Sequence, residues 1–126
     1  MTDPVVRLIL DTSAVLAYAN SRIEVGETIS EVVEEGSAFG ASVVSLAEAM
    51  RMADKPERDG IRLLAAHVCF KPLPAKAGDW QRLGYWAANL GTVQHAAAII
   101  EAIDRDGYVI TAEPHSYGEN LPVITF

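Results

Sequence analysis

Three acidic residues lie where carboxylates could do chemistry together. Asp11 ends the apolar segment 5–10, Glu48 lies in the segment SLAEAMRMAD, and Glu113 ends the segment YVITAE. Carboxylate oxygens are the ligands that Mg²⁺ and other hard divalent cations prefer. If the fold brings these side chains together, they can hold such a cation.

Asp11 admits three interpretations: a helix cap, a metal ligand or a phosphoryl-accepting nucleophile. The segment 12–19 is predicted to form a helix, and Thr12 or Ser13 can cap it, so Asp11 is redundant as a cap and a site role is favoured. An aspartyl nucleophile normally has a second acid in an Asp-x-Asp pattern. Asp11-Thr12-Ser13 lacks that second acid, which weakens the nucleophile interpretation.

The other two acids are each open to a structural explanation. Ser45 and Glu48 have the spacing of a capping box, in which the glutamate folds back on its own helix; alternatively, Glu48 faces a site. Glu113 precedes Pro114, which favours extended backbone at Glu113. A surface acid in a loop is the simple interpretation, and the position after an apolar strand favours a site.

Strand-like and helix-like segments alternate along the chain. Helical spacing or composition predicts helices over 12–19, 25–36, 45–54, 60–67, 79–91 and 92–107, and strands are predicted over 5–10, 37–44, 68–74, 108–113 and 121–126. This order predicts a single α/β domain, residues 1–126, with a mainly parallel sheet of four to five strands covered by helices. Ligands of such sheets bind beyond the carboxyl ends of the strands, where Asp11 and Glu113 lie.

The composition excludes several classes of protein. The formal net charge of −7 disfavours a module that coats nucleic acid, although metal ions would invert the charge around clustered acids. The single cysteine, Cys69, cannot form an intramolecular disulfide, and we expect a cytoplasmic protein with no signal peptide and no membrane span. The sequence has no phosphate-binding glycine loop, no zinc-binding pattern of histidines or cysteines, and no G-x-S-x-G motif.

The order of these motifs resembles the PIN-domain family over nearly the whole chain. The resemblance is carried by an apolar strand ending in LDTSA, then SLAEA, an alanine-rich helix and finally VITAEP. It implies a parallel sheet with helices on both faces, a three-layer sandwich. It also implies an Mg²⁺- or Mn²⁺-dependent ribonuclease, such as the toxins of VapBC-type toxin–antitoxin pairs.

The resemblance assigns roles to individual residues. Asp11 matches the first-strand aspartate and Glu48 the helix glutamate, while Glu113 falls where the family usually has an aspartate, with Thr111 before it. Thr12 or Ser13 matches the small hydroxyl that orients the first acid or a bound water.

One expected carboxylate is missing from the sequence. The family normally has another aspartate at the start of the alanine-rich helix, where this chain has Thr92, Gln94 and His95. Asp11, Glu48 and Glu113 remain as metal ligands, with Gln94 or His95 as additional donors. The departure puts a two-metal arrangement in doubt.

The resemblance also implies partners and a reaction. The reaction is hydrolysis of RNA phosphodiester bonds, in which the metal activates a water and neutralises the scissile phosphate. A small basic antitoxin and a homodimer are expected, the latter compatible with the aromatic segment that holds Trp80, Tyr85 and Trp86. The alternative is a domain that kept the fold, lost the chemistry and binds a protein.

Overall fold

Five short strands form one parallel sheet in the computed structural model, which describes residues 3–126. The strand order is β3-β2-β1-β4-β5, and each neighbouring pair is parallel. The strands are β1 Val6–Leu10, β2 Ala38–Ser42, β3 Phe70–Leu73, β4 Tyr108–Thr111 and β5 Val123–Thr125. The central strand is the apolar N-terminal segment, so the predicted α/β fold with a parallel sheet is confirmed.

Helices cover both faces of this sheet. They are α1 Thr12–Ala19, α2 Ile23–Glu34, α3 Val43–Met52, α4 Lys55–Ala65, α5 Trp80–Leu90 and α6 Val93–Asp104. Leu8 and Leu10 of β1 pack into one apolar cluster with α1 to α4, whereas Ile9 packs into a second cluster with α5 and α6. Consecutive strand residues point to opposite faces, which explains why β1 is apolar on both of its sides.

Local signals explain where two helices differ from the sequence prediction. Helix α3 begins directly after β2, because the Ser42 hydroxyl caps it by accepting from the Ser45 N–H at 2.9 Å. The capping box proposed for Ser45 and Glu48 is therefore wrong. A true capping box joins Asp54 and Glu57, and it starts α4 earlier than the predicted 60–67.

Two glycines allow backbone segments to approach closely. A Cβ at Gly40 in β2 would lie 2.3 Å from the carbonyl oxygen of Lys71 on β3. At Gly107 it would lie 2.5 Å from the carbonyl oxygen of Arg7. Helix α6 ends at Asp104, before the predicted end at residue 107, and Asp106 takes the left-handed conformation with a φ of 52°.

The aromatic side chains of α5 are divided between core and solvent. Trp86 packs against the second apolar cluster, but Trp80 and Tyr85 are 70% and 72% exposed. Core packing therefore explains Trp86 and leaves the other two rings on the surface. Within residues 3–126, no helix combines the length and apolar character needed to cross a membrane.

Candidate metal centre

The carboxyl ends of two neighbouring strands bring Asp11 and Glu113 together. Asp11 directly follows β1, Glu113 comes shortly after β4, and the two strands pair in parallel. Helix α6 begins at the same edge and places His95 beside them. One ligand atom from each of Asp11, His95 and Glu113 lies within 4.8 Å of the others. These are two of the three predicted carboxylates and one of the predicted supporting residues.

Asp11 is fully buried and held by three donors. Its Oδ1 accepts from the Ser13 hydroxyl at 2.6 Å and from the Ala14 N–H at 3.0 Å. Its Oδ2 accepts from the Tyr117 hydroxyl at 2.8 Å. Asp11 is thus the N-cap of α1, and the inference that it is redundant as a cap is wrong. A carboxylate has about four lone-pair directions, so the cap still leaves it capacity for a cation.

The Ser13 hydroxyl serves Asp11 rather than the helix end, which is why it does not cap α1. It donates to Asp11 and accepts from the Ala112 N–H at 2.9 Å, immediately after β4. The Thr111 hydroxyl lies 3.3 Å from it and accepts from the Glu113 N–H at 2.9 Å. These bonds fix the backbone that carries Glu113 relative to Asp11.

Two further predicted supporting residues tie three helix starts together. The Thr12 N–H donates to Gln94 Oε1 at 3.2 Å, and the Thr12 hydroxyl donates to the Ser45 carbonyl oxygen at 3.1 Å. The N-termini of α1, α3 and α6 therefore meet at this edge. Their partial positive charges favour anions there.

His95 is buried with one ring nitrogen unpaired. Its Nδ1 lies 2.6 Å from the Thr92 hydroxyl, whereas Nε2 has no hydrogen-bond partner although the residue is only 5% exposed. Nε2 lies 3.5 Å from Glu113 Oε1. Buried polar atoms in native proteins almost always have a partner, so this imidazole nitrogen beside Glu113 is available to accept one, such as a cation.

Glu48 lies apart from this cluster. Its carboxylate accepts from the Arg51 guanidinium, with Nε at 3.0 Å from Oε2 and 3.2 Å from Oε1. The hydrogen bond from Arg51 holds the pKa of Glu48 below its usual range. The structure thus places this predicted ligand in an ion pair on the wall of the groove described below.

Tyr117 is a site residue that the sequence did not single out. It comes from the loop PHSYGEN, yet it is only 7% exposed, donates to Asp11 and contacts the His95 ring edge to face at 5.0 Å. No periodicity marks a loop residue as buried, so no sequence signal identified it. Burial and the neighbouring Asp11 carboxylate raise its pKa well above the usual range.

That raised pKa predicts how stability changes in alkali. Below about pH 10 the phenol is protonated in both folded and unfolded chains, and its hydrogen bond is fully present. Above that pH only the unfolded chain releases the proton, so the free energy of unfolding falls by about 1.4 kcal/mol per pH unit. Urea unfolding of the metal-free protein between pH 9 and 11 should show this fall.

The variant Tyr117→Phe isolates this effect. It should be less stable than wild type at pH 8 by about 1.5–3 kcal/mol, the net worth of a hydrogen bond to a charged group. Its stability should then fall less steeply with pH than that of the wild type. Parallel pH curves for the two proteins would contradict the assignment.

A groove of about 820 Å³ opens beside His95 and Glu113. It runs between α1, α3 and the start of α6, with the Glu48–Arg51 pair on its wall. Apolar side chains line much of it: Leu16, Val43, Val44, Ala47, Met52 and Val93. The groove reaches His95 and Glu113, whereas the fully buried Asp11 does not line it.

The donor set fits a divalent cation. Two carboxylates and one imidazole offer oxygen and nitrogen ligands, and the unpaired Nε2 is the atom that lacks a partner without an ion. Among residues 3–126, Asp11, His95 and Glu113 are the histidine, cysteine and acidic side chains whose ligand atoms converge in a group of three or more.

Comparison with known proteins identifies the fold. No protein-family model matches the chain, and no curated protein matches its sequence. Among solved structures, a chain of VapBC2 from Rickettsia felis, crystallised with a DNA fragment from its promoter, superposes with a TM-score of 0.68. The fold is PIN-like. The superposition covers 94% of this chain and 97% of that one at 13% identity, so it establishes the PIN-like sandwich and leaves activity to the site itself.

Proposed function

We propose that this PIN-like domain is a metal-dependent endoribonuclease, with Asp11 and Glu113 as carboxylate ligands of a single divalent cation. The observation that carries the proposal is that one ligand atom from each of Asp11, His95 and Glu113 lies within 4.8 Å of the others, with His95 Nε2 3.5 Å from Glu113 Oε1. The open groove beside them gives a substrate access. The cation is Mg²⁺ or Mn²⁺ in the family that the motifs resemble.

Some residues hold the Asp11 carboxylate in place, and others favour binding of the substrate phosphate. Asp11 is fixed by Ser13, Ala14 and Tyr117, so its carboxylate needs little rearrangement when an ion binds. The starts of α1 and α6 add partial positive charge for the phosphate. When bound, the cation supplies water activation and neutralises the charge of the scissile phosphate.

Glu48 belongs to the groove rather than to the ligand set in this proposal. Arg51 occupies both carboxylate oxygens, so Glu48 neutralises a guanidinium that lies along the substrate path. Release of Arg51 to a phosphate would expose Glu48, and the pair therefore sets how strongly the groove attracts RNA. The two acids beside His95 are left as the carboxylate ligands.

The test is cleavage of an unstructured RNA pool with and without Mn²⁺. Wild type should cleave only with the metal, and Asp11→Asn and Glu113→Gln should each lose at least about 100-fold in rate, more than outer-shell changes cost. Glu48→Gln is the matched control and should keep metal affinity within about twofold of wild type, because a ligand loss would cost tenfold or more. Metal-independent cleavage, or full activity in Asp11→Asn, would contradict the proposal.

The partner we propose is a small basic protein that covers the groove. The net charge of −7 favours a basic partner, and Val43 and Met52 beside the site are 46% and 55% exposed. VapBC2 is itself a complex. Such an antitoxin should bind wild type and stop RNA cleavage, and Val43→Glu should weaken that binding; inhibition unchanged by Val43→Glu would place the contact elsewhere.

A specific observation also supports the inactive alternative. All three donors to Asp11 come from the protein, so this carboxylate has its hydrogen bonds without an ion. If Mn²⁺ does not bind and RNA stays intact, the chain is a PIN-like module that binds a protein through the groove. We also propose a homodimer that forms through the exposed Trp80 and Tyr85, and light scattering of Trp80→Ala tests this contact. A cytoplasmic location is a further proposal.

A further inference from the structure

We infer that the cation site contains nitrogen as well as oxygen ligands, with the His95 imidazole as the third ligand. The inference rests on the cation site of the proposed function and adds the ligand and the selectivity that follows from it. It predicts a site that prefers first-row transition ions, such as Co²⁺ and Mn²⁺, to Mg²⁺.

His95 is positioned as a metal ligand would be. Its Nε2 is buried and has no hydrogen-bond partner among the described residues, and a ring nitrogen of His95 lies within 4.8 Å of oxygens of Asp11 and Glu113. Glu113 Oε1 is 3.5 Å from Nε2, beyond a normal hydrogen bond but close enough for both atoms to bind one ion. Glu113 is exposed, so its side chain can adjust when an ion binds.

The other ring nitrogen of His95, Nδ1, has a partner in Thr92. Thr92 is the N-cap of α6, and its hydroxyl accepts from the backbone N–H of His95 at 3.2 Å. This hydrogen bond fixes the position of the hydroxyl. The same hydroxyl lies 2.6 Å from His95 Nδ1. A proton on Nδ1 can be donated to Thr92, and Nε2 then presents a lone pair to the cluster. Histidine ligands typically have their second nitrogen anchored in this way.

The other residues that could replace the missing acid already have partners in the protein. Gln94 Oε1 already accepts from the Thr12 N–H at 3.2 Å, and Glu48 is paired with Arg51. Glu48 does not belong to the group of converging acidic and histidine ligand atoms, and Gln94 Oε1 also accepts from the Ser45 hydroxyl at 3.5 Å. His95 is the neighbour of Asp11 and Glu113 with an atom left to coordinate.

An imidazole in place of a carboxylate changes which ions bind well. Mg²⁺ prefers an all-oxygen environment, and it sheds its water reluctantly. Imidazole binds transition ions better, and affinity rises from Mn²⁺ towards Co²⁺ and Ni²⁺. The ratio of Co²⁺ to Mg²⁺ affinity therefore reports the nitrogen ligand, and it is independent of any RNA substrate.

The experiment compares metal binding in wild type, His95→Asp and His115→Gln. His115 is exposed and two residues from Glu113, so it is the matched histidine control. Calorimetry should show that His95→Asp lowers the ratio of Co²⁺ to Mg²⁺ affinity by at least about tenfold, whereas His115→Gln leaves it unchanged. Pulsed electron paramagnetic resonance of the Mn²⁺-loaded proteins should detect coupled ¹⁴N in wild type and His115→Gln and none in His95→Asp.

The outcomes separate this inference from the proposed function. Bound Mn²⁺ with no coupled nitrogen in wild type, or a nitrogen signal that survives in His95→Asp, would overturn the nitrogen ligand and leave the carboxylate site. No Mn²⁺ binding to wild type would overturn both. If His95→Asp does not fold, the double variant His67→Gln/His115→Gln is measured instead. The chain has three histidines, so a nitrogen signal that persists in this double variant assigns the ligand to His95. Loss of the signal in that double variant contradicts it.

Discussion

Asp11→Asn is expected to lose at least about 100-fold in Mn²⁺ affinity while the protein stays folded. The amide keeps an oxygen for the Ser13 hydroxyl and the Ala14 N–H, so the cap of α1 survives. The amide nitrogen faces the Tyr117 hydroxyl, which can turn to accept. The loss of stability should therefore stay near 1–2 kcal/mol, the range for one altered hydrogen bond.

The measurement is a calorimetric Mn²⁺ titration beside urea unfolding of the same proteins. Asp106→Asn is the control, because Asp106 is exposed, lies outside the cluster and has a left-handed backbone that asparagine tolerates. It should bind Mn²⁺ like wild type. Equal binding by Asp11→Asn would mean that Asp11 serves only as a helix cap.

Gly40→Ala is expected to destabilise the protein by about 3 kcal/mol, the upper part of the range for overpacking. The added Cβ would lie 2.3 Å from the Lys71 carbonyl oxygen, which belongs to the neighbouring strand. A backbone atom in a ladder cannot turn away as a side chain can. Strands β2 and β3 would have to separate locally, at the cost of their hydrogen bonds.

Gly84→Ala is the matched control for that substitution. Gly84 lies inside α5, and a Cβ there would meet no heavy atom within 4 Å. This variant should gain about 0.5–1 kcal/mol, because alanine is the better helix former. The two urea midpoints should therefore move in opposite directions. A Gly40→Ala midpoint equal to that of wild type would mean that the strands are not so closely packed.

The sequence predicted what depends on strand ends and periodicity. The apolar segment 5–10 predicted the strand β1, and the convergence of Asp11 and Glu113 follows from two parallel strands that end at the same edge. These features depend on local patterns, which can be recognised in a single sequence. The PIN-like sandwich was predictable for the same reason, through the order of its motifs.

The details of the site depended on side-chain contacts between distant segments. The bond from Tyr117 to Asp11 joins residues 106 positions apart, and the unpaired nitrogen of His95 is visible only once the partners of its ring are known. Glu48, in contrast, has a partner that is close to it in the sequence. Its spacing suited both a cap and a ligand, but an arginine three residues later decided its partner.

Asp11 has three hydrogen-bond donors from the protein, so folding of the chain should not require a bound metal ion. In many small metalloproteins the ligands repel or lack partners without the ion, so that removing the metal unfolds the chain. Here the most buried ligand is satisfied in the metal-free state. A chelator should therefore act as a reversible off switch. It should leave the protein folded, with a melting temperature lowered only by the loss of the stabilisation that binding of the ion to the folded chain supplies.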